Sequence, residues 1–288
     1  MLLFNKWGCE KRKKDAYLFL DISHLEEYNT NINVAFDKME KDIRCINEKT
    51  YKKYITENTL LIVTDVHIKE RLEYPEILDE VDTVVLDHHI KSKNYIKDTI
   101  YTYIDSNLSS MSELITMYAL YNKVDLDNVI ASILLGGIEI DTNEYNFKTS
   151  AQTYEAAKTL MDMGADVILK QELLKETKEE YIKRASTLKN SFMVTDNIAM
   201  CIFNECTTIE LAQAAEELLN FEDVEASFTV GRLDENTIGI SARSIGNINV
   251  EKIIKKMGGG GHASNAAAQL TGKTMKEVKG EIKKLLEG

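Results

Sequence analysis

The stretch Thr83-Val84-Val85-Leu86-Asp87-His88-His89 joins a short apolar run to three polar side chains that can bind a metal ion. Apolar runs of this length are typical of buried strands, and open α/β sheets carry their sites at the carboxyl ends of such strands. We therefore predict a buried strand at residues 83–86 with a functional site directly after it.

Similar strands alternate with helices through the first two-thirds of the chain. Residues 16–20 and 60–63 are also strand-like, and an aspartate closely follows each run. Helical spacing of apolar residues occurs at 112–121, 126–138 and 151–163. Alternating strands and helices predict an α/β fold with a mainly parallel, Rossmann-like sheet.

The sequence pattern changes after this region and divides the chain. Residues 165–190 are rich in Lys and Glu at helical spacing, which predicts a solvated helical connector. We expect a second, smaller α/β domain beyond it, because strand-like runs and helical runs follow one another there. Its strands are predicted at 198–203, 226–230 and 237–241, and its helices at 211–219, 250–257 and 275–286. The predicted ranges are 1–164 for the first domain, 165–190 for the connector and 191–288 for the second domain.

The composition excludes several classes of function. The chain has 288 residues, of which 44% are hydrophobic, and a formal net charge of −12. An acidic chain disfavours long nucleic acid, whose binding depends on basic side chains. The four cysteines form no C-x-x-C pair, and no apolar run is long enough to span a membrane. We expect a cytoplasmic protein with reduced thiols and no membrane span in this chain.

Four side chains are candidates for a site that binds metal and phosphate. Asp65 and His88 follow predicted strands, His89 is next to His88, and Asp141 follows a predicted helix or short strand. A single aspartate in such a place is more often a helix cap or a loop residue. The joint occurrence of the four favours a site in which carboxylates and imidazoles hold Mn²⁺ or a similar divalent ion.

A glycine-rich run near the C-terminus is a candidate for anion binding. It consists of Gly258, Gly259, Gly260, Gly261 and His262. Consecutive glycines leave backbone N–H groups open to a phosphate, and the alternative is a flexible turn that ends the preceding helix. Ser241 and Arg243 follow a predicted strand, and Arg243 is either a fork for phosphate or a surface side chain.

Together these motifs resemble those of the DHH phosphoesterase family with its DHH-associated C-terminal domain. The likeness is greatest to the soluble catalytic part of the membrane-anchored cyclic-di-AMP phosphodiesterases, and it extends from about residue 15 to the end. The matching strings are Thr64-Asp65-Val66-His67, Asp87-His88-His89, Ser109-Ser110-Met111-Ser112-Glu113, Gly137-Ile138-Glu139-Ile140-Asp141-Thr142-Asn143, Val224-Glu225-Ala226-Ser227-Phe228, Gly239-Ile240-Ser241-Ala242-Arg243-Ser244 and Gly258-Gly259-Gly260-Gly261-His262.

The resemblance implies a phosphodiesterase that uses two Mn²⁺ ions. By this resemblance Asp65 bridges both ions, and His88 and Asp141 hold one of them. His89 then faces the scissile phosphate, where it and Arg243 stabilise charge. The resemblance also implies that Arg243 and the glycine-rich run with His262 belong to a domain that closes over the nucleotide.

One family motif has no counterpart in this chain. Members of the family open the metal domain with a strand and a His-x-x-x-Asp-x-Asp motif, whereas the only histidine before His67 is His24, which lacks the aspartates. We expect a truncated metal domain that lacks its first strand and keeps three metal ligands. Three protein ligands can hold one catalytic ion, so we expect a pair of ions to bind weakly.

Three functions are compatible with these residues. The first is a Mn²⁺-dependent phosphodiesterase that opens cyclic-di-AMP to a linear dinucleotide. The second is a catalytically inactive module that still binds the nucleotide through the glycine-rich run. The third is an oligoribonuclease that acts on short linear oligonucleotides. The expected partners are therefore a cyclic dinucleotide or a short oligonucleotide, together with a second copy of the chain in a homodimer.

Overall fold

The computed structural model describes residues 15–20, 34–35, 38–39, 44–245 and 248–287. The described residues up to Lys175 form one compact unit, and those from Glu176 onward form a second. Within these ranges no helix has both the length and the apolar character needed to cross a bilayer.

Short parallel strands form the sheets of the first unit. Strand β1 (Leu18–Phe19) pairs with β2 (Cys45–Ile46), and β3 (Leu60–Thr64), β4 (Asp82–Asp87) and β5 (Tyr101–Ile104) form a sheet in the order β3-β4-β5. All of these pairs are parallel. Because every strand of the three-stranded sheet runs the same way, the carboxyl ends of β3 and β4 lie side by side, with Thr64 opposite Leu86.

The helices of the first unit begin at capped residues and share an apolar core. They are α1 (Met111–Tyr121), α2 (Asn128–Thr142), α3 (Ala151–Asp162) and α4 (Val167–Leu173), and their N-caps are Ser110, Asp127, Ser150 and Asp166. Each of these caps accepts a hydrogen bond from a backbone N–H of the first turn, which is the role such residues have in general. The core between them includes Ile138 and Leu160, both fully buried.

The second unit contains a six-stranded sheet with helices packed against it. Its strands are β6 (Phe192–Thr195), β7 (Ile198–Phe203), β8 (Ala226–Arg232), β9 (Thr237–Ser244), β10 (Gly260–His262) and β11 (Asn265–Thr271). Its helices are α5 (Lys178–Leu188), α6 (Thr208–Leu218), α7 (Val250–Lys256) and α8 (Met275–Glu287). The strand order is β10-β11-β9-β8-β7-β6, with β7 and β8 parallel and every other pair antiparallel.

The predicted fold class is confirmed, and the structure adds details that the sequence pattern did not show. Residues 165–190 contain two helices that lie in different units, because α4 packs on α2 whereas α5 contacts α6 and β7. The sheet of the second unit is mostly antiparallel. The sequence pattern does not predict strands β2, β5, β6, β10 and β11. The three predicted domain ranges stay a proposal.

Candidate metal and phosphate site

Asp65 lies at the carboxyl edge of the first unit's sheet in an unusual backbone conformation. It directly follows β3, its φ is +63°, and its N–H donates to Leu86 O at 2.9 Å. A positive φ is uncommon for a residue other than glycine, and such strain tends to occur at functional sites. The hydrogen bond to the neighbouring strand holds the Asp65 carboxylate beside the end of β4.

His88 leaves β4 at the same edge and reaches two carboxylates. Its side chain is buried, and its Nε2 lies 3.0 Å from Asp65 Oδ1 and 3.7 Å from Asp141 Oδ2. Burial alone would lower the pKa of His88, but the hydrogen bond with Asp65 and the charges of Asp141 and Asp65 outweigh it and raise that pKa. Two carboxylates and one imidazole therefore meet at one point.

Asp141 comes from a helix and not from the end of a strand. It lies in the last turn of α2, so the expectation of either a helix or a short strand resolves to the helix. Burial is the main cause that raises the pKa of Asp141 to about 6, the charge of Asp65 adds to it, and the charges of His88, His89 and Lys148 oppose it. A carboxyl group with a raised pKa favours a nearby cation, because the cation stabilises the ionised form.

Close packing between two helices positions Asp141. A Cβ at Gly137, one turn before Asp141, would lie only 2.3 Å from Ser112 Oγ on α1. The buried Glu113 carboxylate fastens the start of α1, since it accepts hydrogen bonds from Ser109 Oγ, from Ser109 N–H and, at 2.7 Å, from Thr153 Oγ1 on α3. The motifs at residues 109–113 and 137–143 thus act together to position the Asp141 carboxylate.

The backbone after Asp141 makes an unusual left-handed turn. Asn143, Glu144 and Tyr145 have φ values of +45°, +55° and +65°. Thr142, which is buried, stabilises this turn because its Oγ1 donates to Ile138 O at 2.7 Å and accepts from Tyr145 N–H at 3.0 Å. Each left-handed residue costs roughly 1–2 kcal/mol. The surrounding contacts must therefore stabilise the end of α2 next to Asp141 in this conformation.

Asp87 is the last residue of β4, and its buried carboxylate contacts two histidine rings. Along β4, Thr83, Val85 and Asp87 are buried and alternate with half-buried residues, so the pleat directs the Asp87 side chain inward. Its Oδ1 accepts from His89 N–H at 3.0 Å and contacts His89 Nδ1 at 2.7 Å, while its Oδ2 contacts His67 Nδ1. Burial alone would raise the pKa of Asp87, but the hydrogen bonds from His89 and His67 hold it well below its usual range.

The donor set fits a divalent cation. One possible ligand atom from each of Asp65, Asp87, His88 and His89 lies within 4.8 Å of those of the others. Both oxygens of Asp87 are engaged by histidines, so this residue orients its neighbours and is less available to an ion. Asp65, His88 and Asp141 remain as the residues that could hold the ion, with oxygen and imidazole donors that suit Mn²⁺ or a similar metal.

His67 is a site residue that sequence reasoning missed. It belongs to one of the strings that carry the family resemblance, but the sequence pattern gives it no role. The structure shows that it is 3% exposed and contacts Asp87 across 20 residues of sequence. The available signal was its position two residues after Asp65, since side chains that follow a strand end in this way lie close to the site.

The candidate phosphate-binding residues of the second unit lie side by side in its sheet. Arg243 on β9 pairs with Asn265 on β11, and Asn265 pairs with His262 on β10. Arg243 donates from Nε to Glu216 Oε1 at 3.0 Å and from Nη1 to Ser241 Oγ at 3.0 Å. The Arg243 side chain is therefore fixed and largely buried, so Arg243 is not the surface side chain that the sequence left as an alternative.

The glycine-rich run forms an edge strand and not only a turn. Helix α7 ends at Lys256, Gly258 has a φ of +86°, and β10 begins at Gly260. A Cβ at Gly259 would lie 2.3 Å from Ala267 O, and one at Gly261 would lie 2.3 Å from Asn265 O. The expectation of a flexible turn is wrong for residues 260–262, because pairing with β11 requires this close backbone approach.

Comparison with known proteins identifies two family domains. Residues 17–138 match the DHH family, N-terminal domain, and residues 195–288 match the DHHA1 domain. The chain therefore carries a DHH N-terminal domain and a DHHA1 domain, as the resemblance predicted.

Individual relatives agree with this assignment. The chain is 33% identical to the cyclic-di-AMP phosphodiesterase GdpP of Bacillus subtilis, over 97% of this chain and 44% of that protein. It is 38% identical to GdpP of Geobacillus thermodenitrificans, over 96% of this chain and 43% of that protein. The chain thus spans less than half the length of these relatives. A solved structure of an exopolyphosphatase-related protein from Bacteroides fragilis shares the fold, with a TM-score of 0.69 and 18% identity over 89% of this chain and 86% of that one.

Proposed function

We propose that this chain is the metal-dependent catalytic part of a cytoplasmic phosphodiesterase that hydrolyses cyclic-di-AMP to a linear dinucleotide. The convergence of Asp65, His88 and Asp141 at one sheet edge is the observation that carries the proposal. The names of the relatives from Bacillus and Geobacillus support the choice of substrate. The reaction adds water at phosphorus and breaks one P–O ester bond of the ring.

Residues of the first unit have the roles nearest to the phosphorus. Asp65, His88 and Asp141 would hold Mn²⁺, which when bound would polarise phosphoryl oxygens and lower the pKa of water. His89 lies beside them with its side chain 47% exposed, so its ring is accessible to a phosphate. With Nδ1 facing Asp87, the Nε2 atom is the one left to contact substrate oxygens.

Residues of the second unit are the ones that we propose to contact the nucleotide in that unit. Arg243 is held by Glu216 and Ser241, so its guanidinium is oriented before the ligand arrives. Gly258 and Gly259 donate their N–H groups to Lys255 O and Ile254 O, so they shape the turn that leads into β10 and are not open to an anion as the sequence predicted. Gly260 and Gly261 lead along β10 to His262, which is the side chain of this run that we propose to contact the nucleotide. Of the predicted substrate-binding residues, Ser241 and His262 therefore keep that role in the proposal.

One feature of the sequence favours a second candidate function. The sequence given contains no His-x-x-x-Asp-x-Asp motif, and the metal ligands proposed here are three, namely Asp65, His88 and Asp141. With only these three ligands the chain would bind the nucleotide without turning it over. A third candidate is activity on short linear oligonucleotides, which needs the same site and differs only in substrate. A homodimer stays a prediction.

The deciding experiment incubates the purified chain with Mn²⁺ and cyclic-di-AMP and follows the nucleotide by chromatography. We expect a linear dinucleotide as product, and no product with Asp65→Ala or Asp141→Ala. Binding without turnover that is lost in His262→Ala would instead favour the binding module. Faster turnover of linear di- to pentanucleotides than of the cyclic substrate would favour the oligoribonuclease.

A further inference from the structure

We propose that His67 is a positioning residue that sets the orientation and the tautomer of His89 through Asp87. The inference rests on the proposed function, since it matters for catalysis only if His89 contacts the substrate. The three side chains form one continuous hydrogen-bonded array, His67–Asp87–His89, that begins at a backbone amide of the loop after β4.

The tautomer of His67 follows from its two partners. Its Nε2 lies 2.9 Å from Ser92 N and accepts that backbone N–H, so Nε2 carries no proton. The ring proton is therefore on Nδ1, which donates to Asp87 Oδ2. The ring is 3% exposed, and Ile96 N–H also donates to His67 O at 2.8 Å, so both the ring and its backbone are held in place.

The same reasoning carries over to His89. The Asp87 carboxylate already accepts from His67 Nδ1 through Oδ2, and it accepts through its other oxygen as well. Its Oδ1 receives His89 N–H and His89 Nδ1, so the proton of the His89 ring is on Nδ1. Buried carboxylates fix the tautomer and the orientation of imidazoles in this way in many sites.

A competing acceptor explains why Asp87 must itself be held. His89 Nδ1 is also 3.7 Å from Asp65 Oδ1, an oxygen that we assign to the metal site. If Asp87 lost the donor on its Oδ2, its carboxylate could rotate and release the His89 ring toward Asp65. His67 therefore keeps His89 on Asp87 and leaves the Asp65 oxygen for the ion.

Two conservative variants separate the two contacts of His67. In His67→Asn the amide nitrogen occupies the place of Nδ1 and can still donate to Asp87, but the contact with Ser92 is lost. In His67→Gln the amide oxygen can reach Ser92 N–H, but no donor remains at the place of Nδ1. If the role of His67 is to position Asp87, the Asn variant should retain function and the Gln variant should lose it.

The first measurement is kinetic, with cyclic-di-AMP as substrate and Mn²⁺ affinity from calorimetry. For His67→Gln we expect kcat to fall about 10- to 100-fold while KM and the Mn²⁺ Kd stay within about twofold, as found for residues that orient others. His67→Asn should keep kcat within a few-fold. Equal losses of kcat in both variants, or a loss that follows the Mn²⁺ Kd, would overturn the proposal.

The second measurement does not depend on activity. Long-range ¹H–¹⁵N correlation spectra of the metal-free protein report the tautomer of each of its five histidines. We expect His89 to carry its proton on Nδ1 in the parent protein and in His67→Asn, and to lose this preference in His67→Gln. An unchanged His89 tautomer in the Gln variant would refute the inference, whereas absent turnover in the parent protein refutes only the proposed function.

Discussion

At the scale of single residues, Asp141 combines a functional position with a cost in stability. Its pKa is raised to about 6 in the folded protein, above the value of 3.8 for an unperturbed aspartate. The folded protein therefore holds the Asp141 proton more tightly than the unfolded chain does. This proton binding contributes fully to the free energy of unfolding below the pKa of the unfolded chain, and the contribution is lost as the pH rises through about 6. Near neutral pH the ionised carboxylate destabilises the metal-free protein.

We predict that Asp141→Asn stabilises the metal-free protein at about pH 8 and abolishes tight Mn²⁺ binding. The full shift corresponds to about 3 kcal/mol, but the side chain is 34% exposed, so we expect a gain of about 1 kcal/mol after solvent screening. Urea unfolding with EDTA measures it, and the difference should vanish near pH 4. A variant that is less stable than the parent protein in EDTA at the higher pH would contradict this prediction.

At the scale of elements, the contact between α1 and α2 determines where Asp141 lies. Ser112 and Gly137 touch with no room for a further carbon atom. The neighbouring Gly136 has space, since a Cβ there would meet Lys170 Cγ at 3.7 Å and Leu174 Cδ2 at 4.0 Å. Gly136 and Gly137 on α2 thus offer a test position and a matched control for the effect of an added methyl group.

We predict that Gly137→Ala lowers the free energy of unfolding by about 1–3 kcal/mol, as overpacking usually does. It should also weaken Mn²⁺ binding, because the displaced helix carries Asp141. Gly136→Ala should leave Mn²⁺ binding unchanged and stabilise the helix by up to about 1 kcal/mol. Calorimetry and urea unfolding of both variants test this, and partial rescue of Gly137→Ala by Ser112→Ala would support the steric cause. Equal effects of the two glycine substitutions would count against it.

At the scale of the whole molecule, the described residues divide into two compact units. All proposed metal ligands belong to the unit that ends at Lys175, whereas Arg243 and the glycine-rich run belong to the other. Each unit has its own apolar core, for example around Ile138 in the first and around Phe228 in the second. Ligands that contact only one unit should therefore stabilise that unit selectively.

Hydrogen exchange should resolve this division of roles. We predict that Mn²⁺ alone slows amide exchange around residues 64–65, 86–89 and 138–142 and leaves the second unit unchanged. Adding cyclic-di-AMP to Asp65→Ala, which cannot turn it over, should then slow exchange around residues 241–243 and 258–262. Protection of the second unit by Mn²⁺ alone would show that the ion binds elsewhere.

Much of the fold followed from local sequence patterns. Apolar periodicity predicted α1, α2 and α3 to within a few residues, and it predicted β3, β4, β7, β8 and β9 as strands. Strands β2, β5, β6 and β10 escaped prediction because they have only two to four residues. Strand β11 escaped it because its three consecutive alanines weaken the contrast between buried and exposed positions.

The sequence by itself determined the α/β class, several of the strands, and the aspartate and histidines that follow β3 and β4, because these depend on side-chain periodicity over a few neighbouring residues. Only the tertiary structure decided that His67 holds Asp87, that Ser112 meets Gly137 and that Glu216 holds Arg243. These contacts join residues 20 or more positions apart. They exist because packing brings separate elements together, and no local pattern of residues encodes which side chains then meet.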